Sequence, residues 1–137
     1  MVGHSAQDMY ALAEDIESYP RFLPWCDGAE YISQQADRTV ATLHINFHGL
    51  KSHFTTENVH QRGKRIDMKL VSGPFRSLAG SWCFTDLAEG ASKVEFTLRY
   101  EFKNRLLEAA AGRVFRGIAE TFVEAFVRRA DEKFGRK

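Results

Sequence analysis

Histidines on one predicted pair of strands are the residues of this sequence best suited to metal chemistry. If Gly49 centres a hairpin, His44 and His53 share the outer sheet face with Glu57, and His48 lies near the turn. Three imidazoles and one carboxylate form a donor set that suits Zn²⁺. Their spacing matches no zinc motif, however, and outward strand side chains are usually only solvated. The sequence therefore predicts no metal site.

Common signatures of enzyme active sites do not occur in the 137 residues. There is no G-x-S-x-G nucleophile elbow, H-E-x-x-H zinc motif, P-loop or G-x-G-x-x-G dinucleotide loop. The two cysteines, Cys26 and Cys83, have no metal-ligating residues beside them in the sequence. We interpret them as free, buried thiols of a reducing compartment. No catalytic residue is assigned from motifs.

Polar residues within an apolar strand are the stronger indication of a binding site. Thr56 and Asn58 are in phase with Phe54, so they are expected to point inward. A buried Asn needs hydrogen-bond partners, which could be backbone groups or the head of a ligand. Tyr100 is the third inward polar residue, and the pattern predicts no inward carboxylate or histidine. Acid–base catalysis would need such a group.

Aromatic residues are unusually abundant, with eleven Phe, four Tyr and two Trp. A space between sheet and helix would be faced by six of them: Trp82, Phe84, Phe96, Tyr100, Phe115 and Phe122. Such a space is either filled by these side chains or holds an apolar ligand. The pattern alone leaves both alternatives open.

The elements that position these residues follow from hydrophobic periodicity. Helical spacing predicts an amphipathic helix over residues 6–17, capped by Ser5, and Pro20 and Pro24 then exclude a long regular element. From Ala29 the period changes to two, which predicts five or six antiparallel strands. A helix of about 28 residues is expected after Asn104. The predicted class is α+β, with this helix across the apolar face of the sheet.

Charge and hydropathy exclude several classes of protein. Nineteen Lys and Arg against eighteen Asp and Glu give a net charge of +1, which argues against DNA binding. No secretion signal or membrane-spanning run is recognised, so a cytoplasmic location is expected, with peripheral contact to the inner membrane left open. Cations concentrate near the C-terminus: Arg128, Arg129, Lys133, Arg136 and Lys137. They are either a solvated helix end favoured by the helix dipole or a surface for phosphates or an anionic membrane.

Three segments of this sequence carry recognisable motifs. Residues 19–26 are YPRFLPWC, residues 73–84 are GPFRSLAGSWCF, and residues 102–130 lead into and contain most of the predicted C-terminal helix. In this order they resemble the YPxFLPxC box, the GPFxxLxGxWxF stretch and the closing helix of the coenzyme Q-binding, START-like proteins. Bacterial relatives are described as polyketide cyclase/dehydrase-like proteins, and one branch as RatA-type ribosome-association toxins.

The resemblance implies a helix-grip, Bet v 1-like fold, in which a curved antiparallel sheet wraps around the C-terminal helix and encloses an apolar tunnel. It also implies an isoprenoid quinone that is bound rather than transformed, in support of respiration or quinone biosynthesis. Relatives carry Asp where this chain has Ser72, so a weaker hydroxyl replaces a turn-capping carboxylate. Relatives also have a strand before the first helix. We therefore expect one domain over residues 1–137 with a truncated first strand.

The combined interpretation is non-catalytic binding of a hydrophobic isoprenoid lipid, with ubiquinone as the leading candidate and no required cofactor. The alternatives are a toxin that binds the large ribosomal subunit through Arg128, Arg129 and Lys133, and a cyclase-like enzyme. The predicted ligand-binding residues are Phe22, Leu23, Trp25, Phe54, Thr56, Asn58, Met68, Phe75, Trp82, Phe84, Tyr100, Phe115 and Phe122.

Overall fold

A six-stranded sheet and two α-helices make up the fold in the computed structural model, which describes residues 2–47 and 50–135. The elements in chain order are α1 (Ala6–Glu14), a 3₁₀ helix (Ile16–Arg21), β1 (Cys26–Gln34), β2 (Arg38–Phe47), β3 (Leu50–Gln61), β4 (Arg65–Ser72), β5 (Phe75–Ala88), β6 (Ala91–Phe102) and α2 (Arg105–Phe134). The predicted turn at Gly49 lies outside the described residues.

The sheet is an antiparallel meander in which each strand pairs with the next one in the sequence. The predicted α+β class and curved sheet are confirmed. Alternation places Thr56 and Asn58 of β3 on the face toward α2, whereas His44 of β2 and His53 of β3 pair on the other face. This register decides which polar side chains reach the interior.

The first helix is shorter than the predicted range of residues 6–17. It begins as expected, because Ser5 Oγ accepts a hydrogen bond from the Asp8 amide at 3.1 Å. It ends at Glu14, and the chain continues as the 3₁₀ helix through Pro20. The helix ends because Asp15 leaves the α-helical conformation, with φ of −83° and ψ of 69°.

The C-terminal helix confirms its predicted position. Asn104 caps it by accepting a hydrogen bond from the Leu107 amide at 2.9 Å, and it runs for 30 residues to Phe134. Gly135 follows with φ of 84°, a left-handed conformation suited to glycine. Within the described residues, neither this helix nor α1 is long and apolar enough to cross a membrane.

Aromatic rings join α2 to the sheet and to the 3₁₀ helix. Phe126 has no exposed surface, and its ring centroid lies 4.9 Å from that of Trp82 and 5.2 Å from that of Tyr19. Phe115 packs edge to face on Phe75 at 4.9 Å. Each such aromatic pair stabilises the fold by about 0.5–1.5 kcal/mol in addition to the contribution of the surface area that it buries. Much of the aromatic content is therefore packed core.

The segment before α1 is attached at two points. Val2 forms an isolated antiparallel bridge with Ser92 at the start of β6. The buried His4 places Nε2 2.8 Å from Asp131 Oδ1, which joins this segment to the end of α2. That residues 1–137 form one domain with a shortened first strand stays a prediction.

Candidate ligand-binding cavity

A small cavity lies between the sheet and α2. Its volume is about 70 Å³. The 3₁₀ helix, the loop before β1, strands β2 to β6 and the middle of α2 all contribute to its wall. The lining residues are Ile16, Tyr19, Trp25, Ala41, Leu43, Ile45, Phe54, Thr56, Asn58, Met68, Leu78, Phe96, Leu98, Phe115, Ile118, Ala119 and Phe122. Apolar side chains dominate, so the cavity suits an apolar group.

Seven of the thirteen predicted ligand-binding residues lie in this lining. They come from the loop before β1, from β3 and β4, and from α2: Trp25, Phe54, Thr56, Asn58, Met68, Phe115 and Phe122. The placement of the strand and helix residues among them follows from the strand period of two and the helical spacing of α2, whereas Trp25 lies in the loop. Whether they contact a ligand stays a prediction.

The other six predicted residues do not line this cavity, which corrects their expected placement. Phe75 and Tyr100 pack around Phe115. Trp82 and Phe84 stack on each other, with ring centroids 5.6 Å apart and ring planes 11° apart. These four rings face inward as expected, but other rings occupy the space in front of them. Phe22 and Leu23 lie in a surface groove beside the cavity.

This result resolves the alternative between a solid core and a cavity. Pockets for drug-sized ligands enclose roughly 300–1,000 Å³. The 70 Å³ observed is far smaller, so most of the interior is packed and only a small space remains. A larger ligand would have to displace side chains of the lining.

The surface groove lies between α2 and the loop before β1. Its volume is about 480 Å³, and Gly117 and Thr121 form part of its α2 side. Trp25 and Ile118 line both the groove and the cavity. These two side chains therefore form part of the wall between the cavity and the surface.

Thr56 and Asn58 bring hydrogen-bonding groups to the apolar cavity. Only 7% of Thr56 and 2% of Asn58 is exposed. The Thr56 hydroxyl donates to Asn58 Oδ1 at 2.9 Å, and Asn58 Nδ2 donates to Thr39 Oγ1 at 3.4 Å. The partners expected for a buried Asn are thus two threonine side chains.

His60 is an inward histidine, and the prediction that no histidine points inward is wrong. It lies two residues after Asn58, on the same face of β3, and only 9% of its surface is exposed. Its Nε2 lies 3.0 Å from Thr39 Oγ1 and its Nδ1 lies 3.0 Å from the Tyr10 hydroxyl. Extending the alternation of β3 by one more inward position, from Asn58 to His60, would have identified it. His60 lies behind the cavity wall and is not part of the lining.

Burial alters the protonation of this histidine and of its partner. Desolvation lowers the pKa of His60, because the charged imidazolium loses its hydration. Desolvation, together with the charge of Glu14, raises the pKa of Tyr10 to about 12. Both groups are therefore neutral near pH 7 and able to hydrogen-bond as neutral groups.

The outer histidines form no metal centre among the residues that the structure describes. His44 and His53 pair with ring centroids 5.8 Å apart, and His44 Nε2 lies 3.0 Å from Glu30 Oε1. Glu57 instead faces Arg38 at 3.9 Å. No group of three His, Cys, Asp or Glu side chains suited to a metal occurs in residues 2–47 and 50–135. His48 lies outside them.

The two cysteines differ in their surroundings. Cys26 is buried, and burial raises the pKa of its thiol. Cys83 is partly exposed on the outer face, where Arg65 Nη1 donates to its sulfur at 3.2 Å. Both are free thiols, as predicted, but the prediction of burial is wrong for Cys83, because it alternates with inward-facing Trp82 and Phe84.

The cations near the end of α2 already have local partners. Arg128 Nη2 lies 3.3 Å from Glu124 Oε1, one turn earlier on the helix. The Arg129 guanidinium lies 5.6 Å from the ring centroid of Phe22, and Lys133 Nζ lies 5.8 Å from that of Phe134. The remaining two cations of the predicted cluster, residues 136 and 137, lie outside the described residues.

Comparison with known proteins places this architecture in a family. A family model described as polyketide cyclase / dehydrase and lipid transport matches residues 2–127. A START superfamily protein from Mycobacterium smegmatis has a similar fold, with a TM-score of 0.77 at 18% sequence identity. The alignment covers 96% of this chain and 92% of that one. This similarity concerns the fold alone.

Two named relatives are similar over almost the whole chain. Ribosome association toxin RatA of Escherichia coli K12 is 41% identical over 134 residues, which are 98% of this chain and 85% of RatA. The mitochondrial coenzyme Q-binding protein COQ10 homolog B of Xenopus laevis is 28% identical over 145 residues, with coverage of 100% of this chain and 58% of that protein. The chain therefore belongs to the polyketide cyclase/dehydrase and lipid transport family, in its RatA-type, START-like branch.

Proposed function

We propose that this protein binds a hydrophobic isoprenoid lipid of the ubiquinone class between its sheet and α2, without converting it, in support of respiration or quinone biosynthesis. The observation that carries this proposal is the pair Thr56 and Asn58, buried side chains at the wall of an otherwise mostly apolar cavity. Such a pair can orient the polar head of a ligand while apolar walls hold its tail. The similarity to a coenzyme Q-binding protein supports the same class of ligand.

The affinity for an isoprenoid tail would come from burial of its carbon atoms. Each buried CH₂ group contributes about 0.8 kcal/mol, so a few isoprene units suffice without charged contacts. The cavity of about 70 Å³ is too small for a whole quinone ring and tail. Binding therefore requires the lining to open, and Trp25 and Ile118 are placed to open it toward the surface groove.

Binding without catalysis is favoured by the chemistry of the lining. Among the lining residues that the structure describes, none is a carboxylate or an imidazole. Tyr19 is titratable, but its hydroxyl donates to the Ala13 carbonyl at 2.6 Å, and burial raises its pKa well above the usual value. A cyclase-like reaction would need a general acid or base inside the cavity. We therefore do not propose one.

The proposal is tested by extracting the purified protein with organic solvent and identifying co-purified lipids by mass spectrometry. We expect an isoprenoid quinone or a close precursor at a substantial fraction of the protein concentration. The variant Ala119→Leu adds volume to the cavity lining and should lose this lipid, whereas Ala109→Leu, exposed on the same helix, should retain it. Lipid-free extracts of the folded wild-type protein, or equal retention in both variants, would contradict the proposal.

Association with the large ribosomal subunit is a second candidate function, favoured by the 41% identity to RatA. Arg128 and Lys133 are exposed on α2, and the half-buried Arg129 lies about one helical turn before Lys133. Co-sedimentation with purified 50S subunits should weaken when Arg128 and Arg129 are both replaced by Gln. The matched control replaces Arg113 and Arg116, exposed earlier on α2, and should sediment as the wild type does. Equal sedimentation of both double variants would exclude this surface.

A further inference from the structure

A series of hydrogen bonds leads from the cavity to the buried Tyr10 on α1. It begins with the Thr56 hydroxyl, which donates to Asn58 Oδ1, and continues with Asn58 Nδ2, which donates to Thr39 Oγ1. Thr39 Oγ1 lies 3.0 Å from His60 Nε2, and His60 Nδ1 lies 3.0 Å from the Tyr10 hydroxyl. The five side chains thus connect the lining to α1.

The inner end of this series of hydrogen bonds sets its direction. Asn58 Nδ2 donates to Thr39 Oγ1, so the single Thr39 hydrogen is available for His60 Nε2. A neutral imidazole that accepts at Nε2 carries its hydrogen on Nδ1 and donates it to the Tyr10 oxygen. Burial lowers the pKa of His60, which favours this neutral form.

The same direction continues to the cavity. The Thr39 hydrogen is directed to His60, so its oxygen is available to accept from the Asn58 amide, and Asn58 Oδ1 accepts from Thr56. Every donor therefore points away from the cavity and toward Tyr10. Hydrogen bonds aligned in this way polarise one another and strengthen the accepting character of the first oxygen. Thr56 Oγ1 is left with lone pairs for a ligand.

We propose that Thr56 and Asn58 form a head-group subsite that selects a hydroxyl, as in a phenol or a hydroquinone, over a carbonyl or an ether. A hydroxyl can donate to Thr56 Oγ1 and accept the second Asn58 N–H. A carbonyl or ether has no hydrogen to donate, so it leaves the Thr56 lone pairs unmatched in an apolar wall. This inference rests on the proposed lipid binding and narrows it to the reduced or phenolic members of that class.

His60, Thr39 and Tyr10 act in this proposal as positioning residues. They touch no ligand, since none of them lines the cavity. Their role is to fix which atom of Asn58 accepts and which donates, because an Asn side chain rotated by 180° would exchange the two. With the amide fixed, the Thr56 hydrogen has one partner, and the subsite keeps one pattern of donors and acceptors.

The test compares two isomeric probes, 4-butylphenol and 4-propylanisole, by isothermal titration calorimetry on the full chain. Both have the same atoms, but only the phenol has a hydroxyl. We expect the wild type to bind the phenol roughly five- to tenfold more tightly, the effect of about one hydrogen bond. Equal affinity, or tighter binding of the anisole, would overturn the subsite while leaving apolar binding intact. Binding of neither probe would overturn the proposed function together with the inference.

Variants assign the preference to the residues named. Thr56→Val should bring the ratio of the two affinities close to one, whereas Thr56→Ser keeps the hydroxyl and should preserve it. Thr39→Val leaves the cavity lining unchanged but removes the hydroxyl that joins Asn58 to His60. It should reduce the ratio of the phenol and anisole affinities roughly two- to threefold. Thr85→Val, on the exposed face of β5, is the matched control and should bind both probes as the wild type does. An unchanged ratio in folded Thr56→Val or Thr39→Val would overturn the proposal.

Discussion

The hydroxyl of Tyr10 on α1 lies 3.0 Å from Nδ1 of His60 on β3, in a hydrogen bond between two buried side chains. The two rings meet edge to face with centroids 6.1 Å apart. This contact joins the first helix to the strand that carries Thr56 and Asn58. Through its other ring nitrogen, His60 also contacts Thr39, which accepts a hydrogen bond from Asn58.

The free energy of unfolding should depend on pH through His60. Its pKa in the folded state lies below the ordinary 6.5, chiefly because of burial, with Arg62 acting in the same direction and Glu14 and Asp37 opposing it. Above pH 6.5 neither state is protonated. As the pH falls below 6.5, the unfolded chain binds a proton that the folded His60 does not, so stability decreases until the folded-state pKa is reached.

Urea denaturation at about pH 7.5 and about pH 5 measures this effect. His60→Gln should lose less stability between the two pH values than the wild type, because Gln does not titrate. His53→Gln, on the exposed face of the same strand, removes an imidazole without touching Tyr10 or Thr39 and is the control. An identical pH dependence of wild type and His60→Gln would refute the assignment.

Removal of the Phe126 ring should be among the most destabilising changes in α2. The side chain is fully buried and contacts the rings of Tyr19, Phe22, Trp82 and Phe122. Phe126→Ala is expected to lower the free energy of unfolding by about 3–5 kcal/mol.

A matched control for that change is available on the same helix. Leu106 is 80% exposed, so Leu106→Ala should change stability by less than about 0.5 kcal/mol. Thermal and urea unfolding of both variants give the comparison. A loss below about 1 kcal/mol for Phe126→Ala would show that α2 is not held by this ring.

The rate of ligand exchange should depend on Ile118. Its side chain separates the cavity from the surface groove together with Trp25. Truncation to Ala thins this wall, so a bound apolar fluorophore such as N-phenyl-1-naphthylamine should dissociate several-fold faster in stopped-flow displacement. Leu106→Ala should dissociate at the wild-type rate, because Leu106 lies outside both the cavity and the groove. Unchanged dissociation in Ile118→Ala would place the access route elsewhere.

The two thiols should react with a disulfide reagent at different rates. Burial raises the pKa of Cys26, which lowers its thiolate fraction and shields the sulfur, whereas Cys83 is partly exposed beside Arg65. Labelling of the native protein with Ellman's reagent should therefore show a fast phase that is absent from Cys83→Ser. Persistence of the fast phase in that variant would assign it to Cys26 instead.

Local patterns in the sequence were sufficient for the type and order of most elements and for the family, although not for the end of the first helix. The period of two in β3 predicted that Thr56 and Asn58 point inward, and the Asn104 cap marked the start of α2. The motifs around Tyr19–Cys26 and Gly73–Phe84 identified the START-like family. These features depend on residues close together in the sequence, so they can be predicted from the sequence alone.

Other features depend on residues far apart in the sequence, and only the tertiary structure decided them. Periodicity turned Trp82 and Phe84 inward, but it could not show that other rings fill the space in front of them. Periodicity also could not show the series of hydrogen bonds from Thr56 to Tyr10, since its donors and acceptors come from α1, β2 and β3. A side chain's face is set by local geometry, whereas the space in front of it is set by every element that packs there.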